Sequence, residues 1–144
     1  PIGNWLEAGD VDDRITMGMF AESLRAKEHK GRERTRTALE AFLRKKGHLD
    51  APGLGATRHA MHTFLAASDA EVMLVNIEDL WLERHWQNVP GTSDIYPNWR
   101  QRLKMTLEQL EDDREIAPQL ADIERARAKR RGDVKNAAPQ RTRG

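Results

Sequence analysis

The 144-residue sequence contains no cysteine. That removes any disulfide framework and fits a reducing compartment. Long apolar runs are missing as well. The one strongly apolar run, Val72-Met73-Leu74-Val75-Asn76-Ile77, is far too short to span a membrane. No secretory signal is recognisable. Internal repeats are absent, and aromatic residues make up only 6%. Net charge is nearly absent at +1, but this conceals an asymmetry. From Glu124 to Gly144 there are eight Lys or Arg against two Asp or Glu. That basic end has no interleaved aromatics, so it reads as a solvated terminus and not as a nucleic-acid surface.

What is present is one domain's length of polar chain, 33% charged and 38% hydrophobic, able to bury a modest core. Pro1 to Asp13 is polar and loop-like, with Trp5 its one large apolar group. Ile15, Met19, Phe20 and Leu24 are spaced for a first helix from about Asp12 to Lys27, with acidic residues at its start. The charged run His29 to Arg36 either breaks that helix or continues it along the surface. Thr35, Leu39, Phe42, Leu43 and Lys46 predict a second helix, ended by Gly47. Thr57 is placed to cap a third, with Ala60, Met61, Phe64 and Leu65 on its apolar side. Val72 to Ile77 predicts a strand buried on both faces. Pro97 suits the first turn of a helix carrying Trp99, Leu103, Leu107 and Leu110 as a stripe. A last helix is expected near Ala117 to Arg130, then a disordered basic tail over 132–144.

The fold class expected is therefore mainly α with one buried strand. A lone strand has no partner for its backbone groups, so it needs another chain or a missing part of the same fold. Self-association of the isolated piece is one consequence.

The long loop between strand and helix is where function is expected. Pro90 and Gly91 fix an irregular backbone, and Gly91 leaves room for close approach. Asn88 and Asn98 supply donors and acceptors, and Trp81, Trp86 and Trp99 supply flat apolar faces. Amides beside aromatic faces suit a neutral polyhydroxyl ligand such as a sugar. Glu78 and Asp79 are neighbours on a strand end, whose side chains point opposite ways, so they read as structural and not as a catalytic pair. Trp99 reads from its periodicity as a packing residue at the head of its helix, with Trp81 and Trp86 the better sugar platforms. His59 and His62 lie three apart on a helix but lack further ligands, so no metal site is assigned. Gly53-Leu-Gly-Ala-Thr-Arg58 lacks the third glycine of a dinucleotide loop and reads as a turn, so no cofactor is expected.

Three stretches resemble one family. They are Val75-Asn-Ile-Glu-Asp-Leu80, Gln87-Asn-Val-Pro-Gly-Thr92 and Pro97-Asn-Trp-Arg-Gln-Arg-Leu103. Together with Gly9-Asp-Val-Asp-Asp-Arg14 they are similar to the carboxyl-terminal end of 4-α-glucanotransferases, the amylomaltase or disproportionating enzymes of glycoside hydrolase family seventy-seven. Leu82 departs from the pattern, which leads one to expect Gly there. The resemblance implies the last strand and flanking helices of a (β/α)8 TIM barrel over residues 1–113, a terminal helix over 114–131 and the tail beyond. It implies a cytoplasmic enzyme of glycogen or maltodextrin metabolism. Such an enzyme transfers α-1,4-glucan segments with retention, through carboxylates that lie upstream of Pro1. Asn88, Pro90, Gly91, Thr92, Asn98 and Trp99 are then substrate-binding positions, with Trp81, Trp86, Glu78 and Asp79 secondary candidates. The implied partners are an α-1,4-glucan oligosaccharide and the upstream part of the same barrel. The alternative is a small helical adaptor or nucleic-acid-binding module that uses the exposed strand or the basic tail.

Overall fold

A computed structural model describes residues 1–92 and 94–137. The N-terminal stretch, expected to be loop, is two short helices, α1 (Ile2–Leu6) and α2 (Gly9–Thr16). Leu6, Ala8 and Val11 are buried between them and their neighbours, which gives this polar stretch its reason to order.

The first helix expected over Asp12–Lys27 is not one helix. Gly18 adopts φ 72°, its N–H bonds the Ile15 carbonyl, and Met19 N–H bonds the Arg14 carbonyl. That paired closure ends α2, as a left-handed glycine does. After a 3-10 turn at Glu22–Leu24 the chain reverses into α3 (Arg25–Lys45). The charged run therefore continues a helix. Arg25, His29, Arg32 and Arg36 share one face of α3 at spacings of three and four. Arg25 and His29 reach Asp12, Arg32 grips Asp10, and Arg36 donates to the Leu6 carbonyl at 3.1 Å. Arg32 also lies over the Trp5 ring, 4.7 Å from its centre. Polar pairing, not an apolar stripe, holds α2 on α3. Met19 and Leu24 are left 45% and 37% exposed.

Gly47 ends α3 as expected, with φ 73° and the same pair of closing bonds. Helix α4 (Leu54–Ala66) starts one turn earlier than expected, at a Gly53 cap. Thr57 is inside it and fully buried, and its hydroxyl donates to Glu40 of α3 at 3.1 Å. Leu43, Leu49 and Ala60 form the shared core, with Phe42 and His48 both edge-on to Phe64.

No strand occurs among the described residues, which corrects the expectation for Val72–Ile77. The segment is extended but packs on one side only. Met73, Val75 and Ile77 lie against a second core of Ala66, Leu80, Ile116 and Ile123, while Val72 and Leu74 are 73% and 89% exposed. With no neighbouring strand to take its N–H and C=O groups, it forms no ladder. It runs into a 3-10 turn at Ile77–Trp81.

The helix expected from Pro97 is absent. Trp99 has φ 61° and donates its N–H to the Gln87 carbonyl at 2.7 Å, so this stretch is a turn of the loop. The proposed stripe is exposed at Trp99, Leu103 and Leu107. Helix α5 (Leu107–Glu111) begins later, where Thr106 and Gln109 form a reciprocal capping box. Helix α6 (Ile116–Ala137) is longer at both ends than expected. Asp113 accepts from Glu115 and Ile116 N–H at its start. Ile116 and Ile123 supply its buried side against α4, and Leu120 is 42% exposed. The tail placed at 132–144 thus begins as a continuation of α6, and residues 138–144 lie outside the described residues.

Arg32 tests the polar clamp. Its carboxylate partner Asp10 is 2% exposed, and removing the guanidinium strands a buried charge. Arg32→Ala is expected to destabilise by about 3 kcal/mol in urea unfolding at pH 7. A loss under about 1 kcal/mol, the range of exposed pairs, would mean that Asp10 finds water or another donor.

Candidate functional site

The loop from Leu82 to Met105 carries the residues picked from sequence. It enters through Leu82, at φ 56° and ψ 48°, the left-handed conformation in which glycine is favoured. That is the position where the family pattern expects Gly. The Leu82 carbonyl backs onto Gly3 of α1 so closely that a Cβ there would sit 2.5 Å from its oxygen. The loop and the N-terminal helices are thus packed backbone to backbone.

Beyond Leu82 the loop satisfies itself. Glu83 accepts from the N–H groups of Arg84 at 2.8 Å and His85 at 2.9 Å, from the His85 ring and from the Trp81 indole. Burial opposes its charge, but these bonds outweigh burial and hold its carboxyl down at about 2. Trp86 donates its indole N–H to Asp13 at 2.7 Å, and Tyr96 donates its hydroxyl to the Trp86 carbonyl at 2.7 Å. Asn98 accepts from Val89 N–H at 2.7 Å and donates to the Thr92 carbonyl at 3.4 Å. The buried Thr92 hydroxyl donates to the Val89 carbonyl at 2.6 Å.

The sequence-picked residues therefore divide. Thr92 and Asn98 brace the Pro90–Gly91 turn, and Gly91 takes φ 81° at its exposed tip. Glu78 and Asp79 are buried and engaged in different directions. Glu78 accepts from the Gln87 amide, and Asp79 accepts from Ile2 N–H at 2.8 Å. Trp81 and Trp86 are half-buried with their indole N–H groups in use. Asn88 and Trp99 are different. Asn88 has no side-chain hydrogen bond among the described residues, and Trp99 is 75% exposed, which corrects its reading as a packing residue. Both line an open depression of about 490 Å³, together with Asp94, Ile95, Tyr96, Pro97, Asn98 and Arg100. An amide with free donors and acceptors beside an exposed indole face can take a sugar hydroxyl and stack its ring.

Sequence reasoning missed three residues. Gln87 holds Glu78 and the Gln101 carbonyl with its side chain and Trp99 with its main chain. Glu83 organises the loop entrance through partners one and two residues away, a local pattern that could have been found. Asp13 lies 73 residues from Trp86, and nothing in the sequence signals that pairing. No cluster of three or more metal-ligating side chains occurs among the described residues. His62 is buried and pushed down by desolvation, with the Arg58 charge adding to it, so it is a neutral core histidine.

The family model described as 4-alpha-glucanotransferase matches residues 2–107. Proteins named 4-alpha-glucanotransferase from Mycobacterium bovis and Mycobacterium tuberculosis are 31% identical over 135 residues. That match covers 88% of this chain and 18% of each relative, so the chain spans about a fifth of their length. No solved structure matches. No described helix is long and apolar enough to cross a membrane.

The Glu83 cluster predicts a pH dependence. A carboxyl held below its ordinary 4.5 stabilises the fold above that value, and the contribution disappears as pH falls from about 4.5 through about 2. The loss is on the order of 3 kcal/mol over that window. Acid unfolding of Glu83→Gln should be flatter across the same range. An unchanged slope would show that the Glu83 bonds do not persist in solution.

Proposed function

The chain belongs to the 4-alpha-glucanotransferase family, and from that premise we propose that it is the carboxyl-terminal part of such an enzyme, in which the 82–105 loop forms one wall of the glucan-binding cleft. The enzyme transfers α-1,4-glucan segments between maltodextrins with retention, in the cytoplasm. Residues 1–113 are the end of its (β/α)8 barrel, followed by a terminal helix that runs to Ala137. The upstream part of the barrel is the partner that completes this piece. The exposed side chains of Val72 and Leu74 and the unladdered backbone beside them are where a neighbouring strand would pair.

The observation that carries the reading is the division within the loop. Thr92, Asn98, Gln87 and Tyr96 are spent on holding its shape, while Asn88 and Trp99 stay open on one depression. A loop that orders itself before binding leaves less conformational entropy to lose on binding, as a recognition surface requires. Under this reading the chain supplies binding and not chemistry. Retention needs two carboxyl groups about 5 Å apart across one bond. Here the adjacent Glu78 and Asp79 are buried and turned to different partners. The nucleophile and acid/base then belong to the upstream part of the barrel.

In the enzyme carrying this segment, Asn88→Ala should raise KM for maltotriose about fivefold, the worth of one neutral hydrogen bond. The thermal midpoint should stay within error, because Asn88 braces nothing among the described residues. A fall in stability as the main effect would make the amide a loop brace. No change in KM for Asn88→Ala or for Trp99→Ala would remove this loop from the glucan site.

A further inference from the structure

We propose that Asp13 is a positioning residue for the glucan-binding wall, acting through the Trp86 indole and the Tyr96 hydroxyl. This inference rests on the proposed function above. One carboxylate oxygen of Asp13 accepts two hydrogen bonds, from the Asn4 amide and from the Trp86 indole N–H, both at 2.7 Å. Asn4 is 4% exposed on α1, Asp13 is on α2, and Trp86 is on the loop. A single atom therefore ties three parts of the chain that share no backbone hydrogen-bonding element. Bonds to a charged acceptor are about twice as strong as neutral ones, and two donors on one oxygen fix its position.

The chain of contacts continues toward the depression. With its indole pinned at Asp13, Trp86 presents its carbonyl to the Tyr96 hydroxyl at 2.7 Å. Tyr96 is half-buried and lines the depression together with Asn88 and Trp99. Burial pushes the Tyr96 hydroxyl up, and the nearby charges of Asp13 and Glu83 add to the rise. The hydroxyl thus keeps its proton and stays a donor at neutral pH. Asp13 touches no part of the depression itself. Its effect on a ligand must pass through Trp86, and that gives it a signature.

The test is a double-mutant cycle in the enzyme carrying this segment, read as KM and kcat with maltotriose and as thermal midpoint. Asp13→Ala should raise KM about tenfold with kcat within about twofold, since it loosens binding and not chemistry. Trp86→Phe removes the donor and keeps the ring, and should raise KM similarly. In the Trp86→Phe background, Asp13→Ala should change KM no further, while the midpoint still falls because the Asn4 bond is lost. Asp13→Glu keeps the carboxylate acceptor and should recover part of the KM. If Asp13→Ala raises KM equally in both backgrounds, or moves only the midpoint, Asp13 is a structural brace and the inference is wrong. Should Asn88→Ala and Trp99→Ala also leave KM unchanged, the glucan-site reading itself has failed, which is a separate result.

Discussion

Two adjacent buried carboxylates that turn apart hold this molecule together. Glu78 and Asp79 are 8% and 6% exposed, and each needs a donor of its own, because an unpaired charge at such depth costs several kcal/mol. Asp79 takes the Ile2 N–H and so anchors the start of α1. It also faces Arg58, a guanidinium 7% exposed on α4 whose pKa is pushed down mainly by burial and partly restored by the Asp79 charge. Glu78 takes the Gln87 amide and so anchors the loop. Beside them Leu80 sits in the core with Ile116 and Ile123 of α6. One short 3-10 turn is therefore where the N-terminal helices, α4, α6 and the loop meet. In this turn, and not on a strand end as expected, Glu78 and Asp79 take different partners, and that divergence lets them serve two directions at once.

The loop is built on that junction in two layers. Gln87 carries the tie outward, since its carbonyl receives Trp99 N–H. The left-handed backbone at Trp99 follows from this bond. It swings the indole away from any helix and into solvent over the depression. A positive φ at a bulky residue is strained, and strain of this kind persists only where surrounding bonds fix it. Here Asn98 and Gln87 fix it from both sides. The same logic applies at Leu82, whose left-handed turn is held by packing against Gly3.

Short-range chemistry was legible in the sequence. Gly47 as a helix stop, the packed positions Leu39, Leu43, Ala60, Met61 and Phe64 of α3 and α4, and a long irregular loop carrying Asn and Trp residues all follow from spacing and turn chemistry, while Phe42 and Leu65 on the same expected faces are exposed. What misled was tertiary pairing. The stripe from Ile15 to Leu24 looked helical because its period is right, but Gly18 and the attraction of Asp10 and Asp12 for α3 turn the chain back. Trp99, Leu103 and Leu107 have a helical period too, yet the Gln87 bond claims Trp99 first. Val72–Ile77 reads as a strand by composition, and no neighbour among the described residues completes it. Asp13–Trp86 joins residues 73 apart and leaves no local trace. Family resemblance reached further than periodicity because it compares whole motifs; it marked Leu82 as standing where Gly is expected, and Leu82 takes the left-handed conformation that glycine favours.

The account's central claim is that the loop is set in advance with Trp99 and Asn88 left free for glucan. Indole N–H resonances of the four tryptophans, followed by NMR while the chain is titrated with maltoheptaose, test this most directly. Trp99 should shift progressively and saturably, Trp86 should stay fixed at its Asp13 bond, and a β-linked glucan of the same length should move neither. Trp99 unmoved at saturating maltoheptaose, or Trp86 released as glucan binds, would contradict the account.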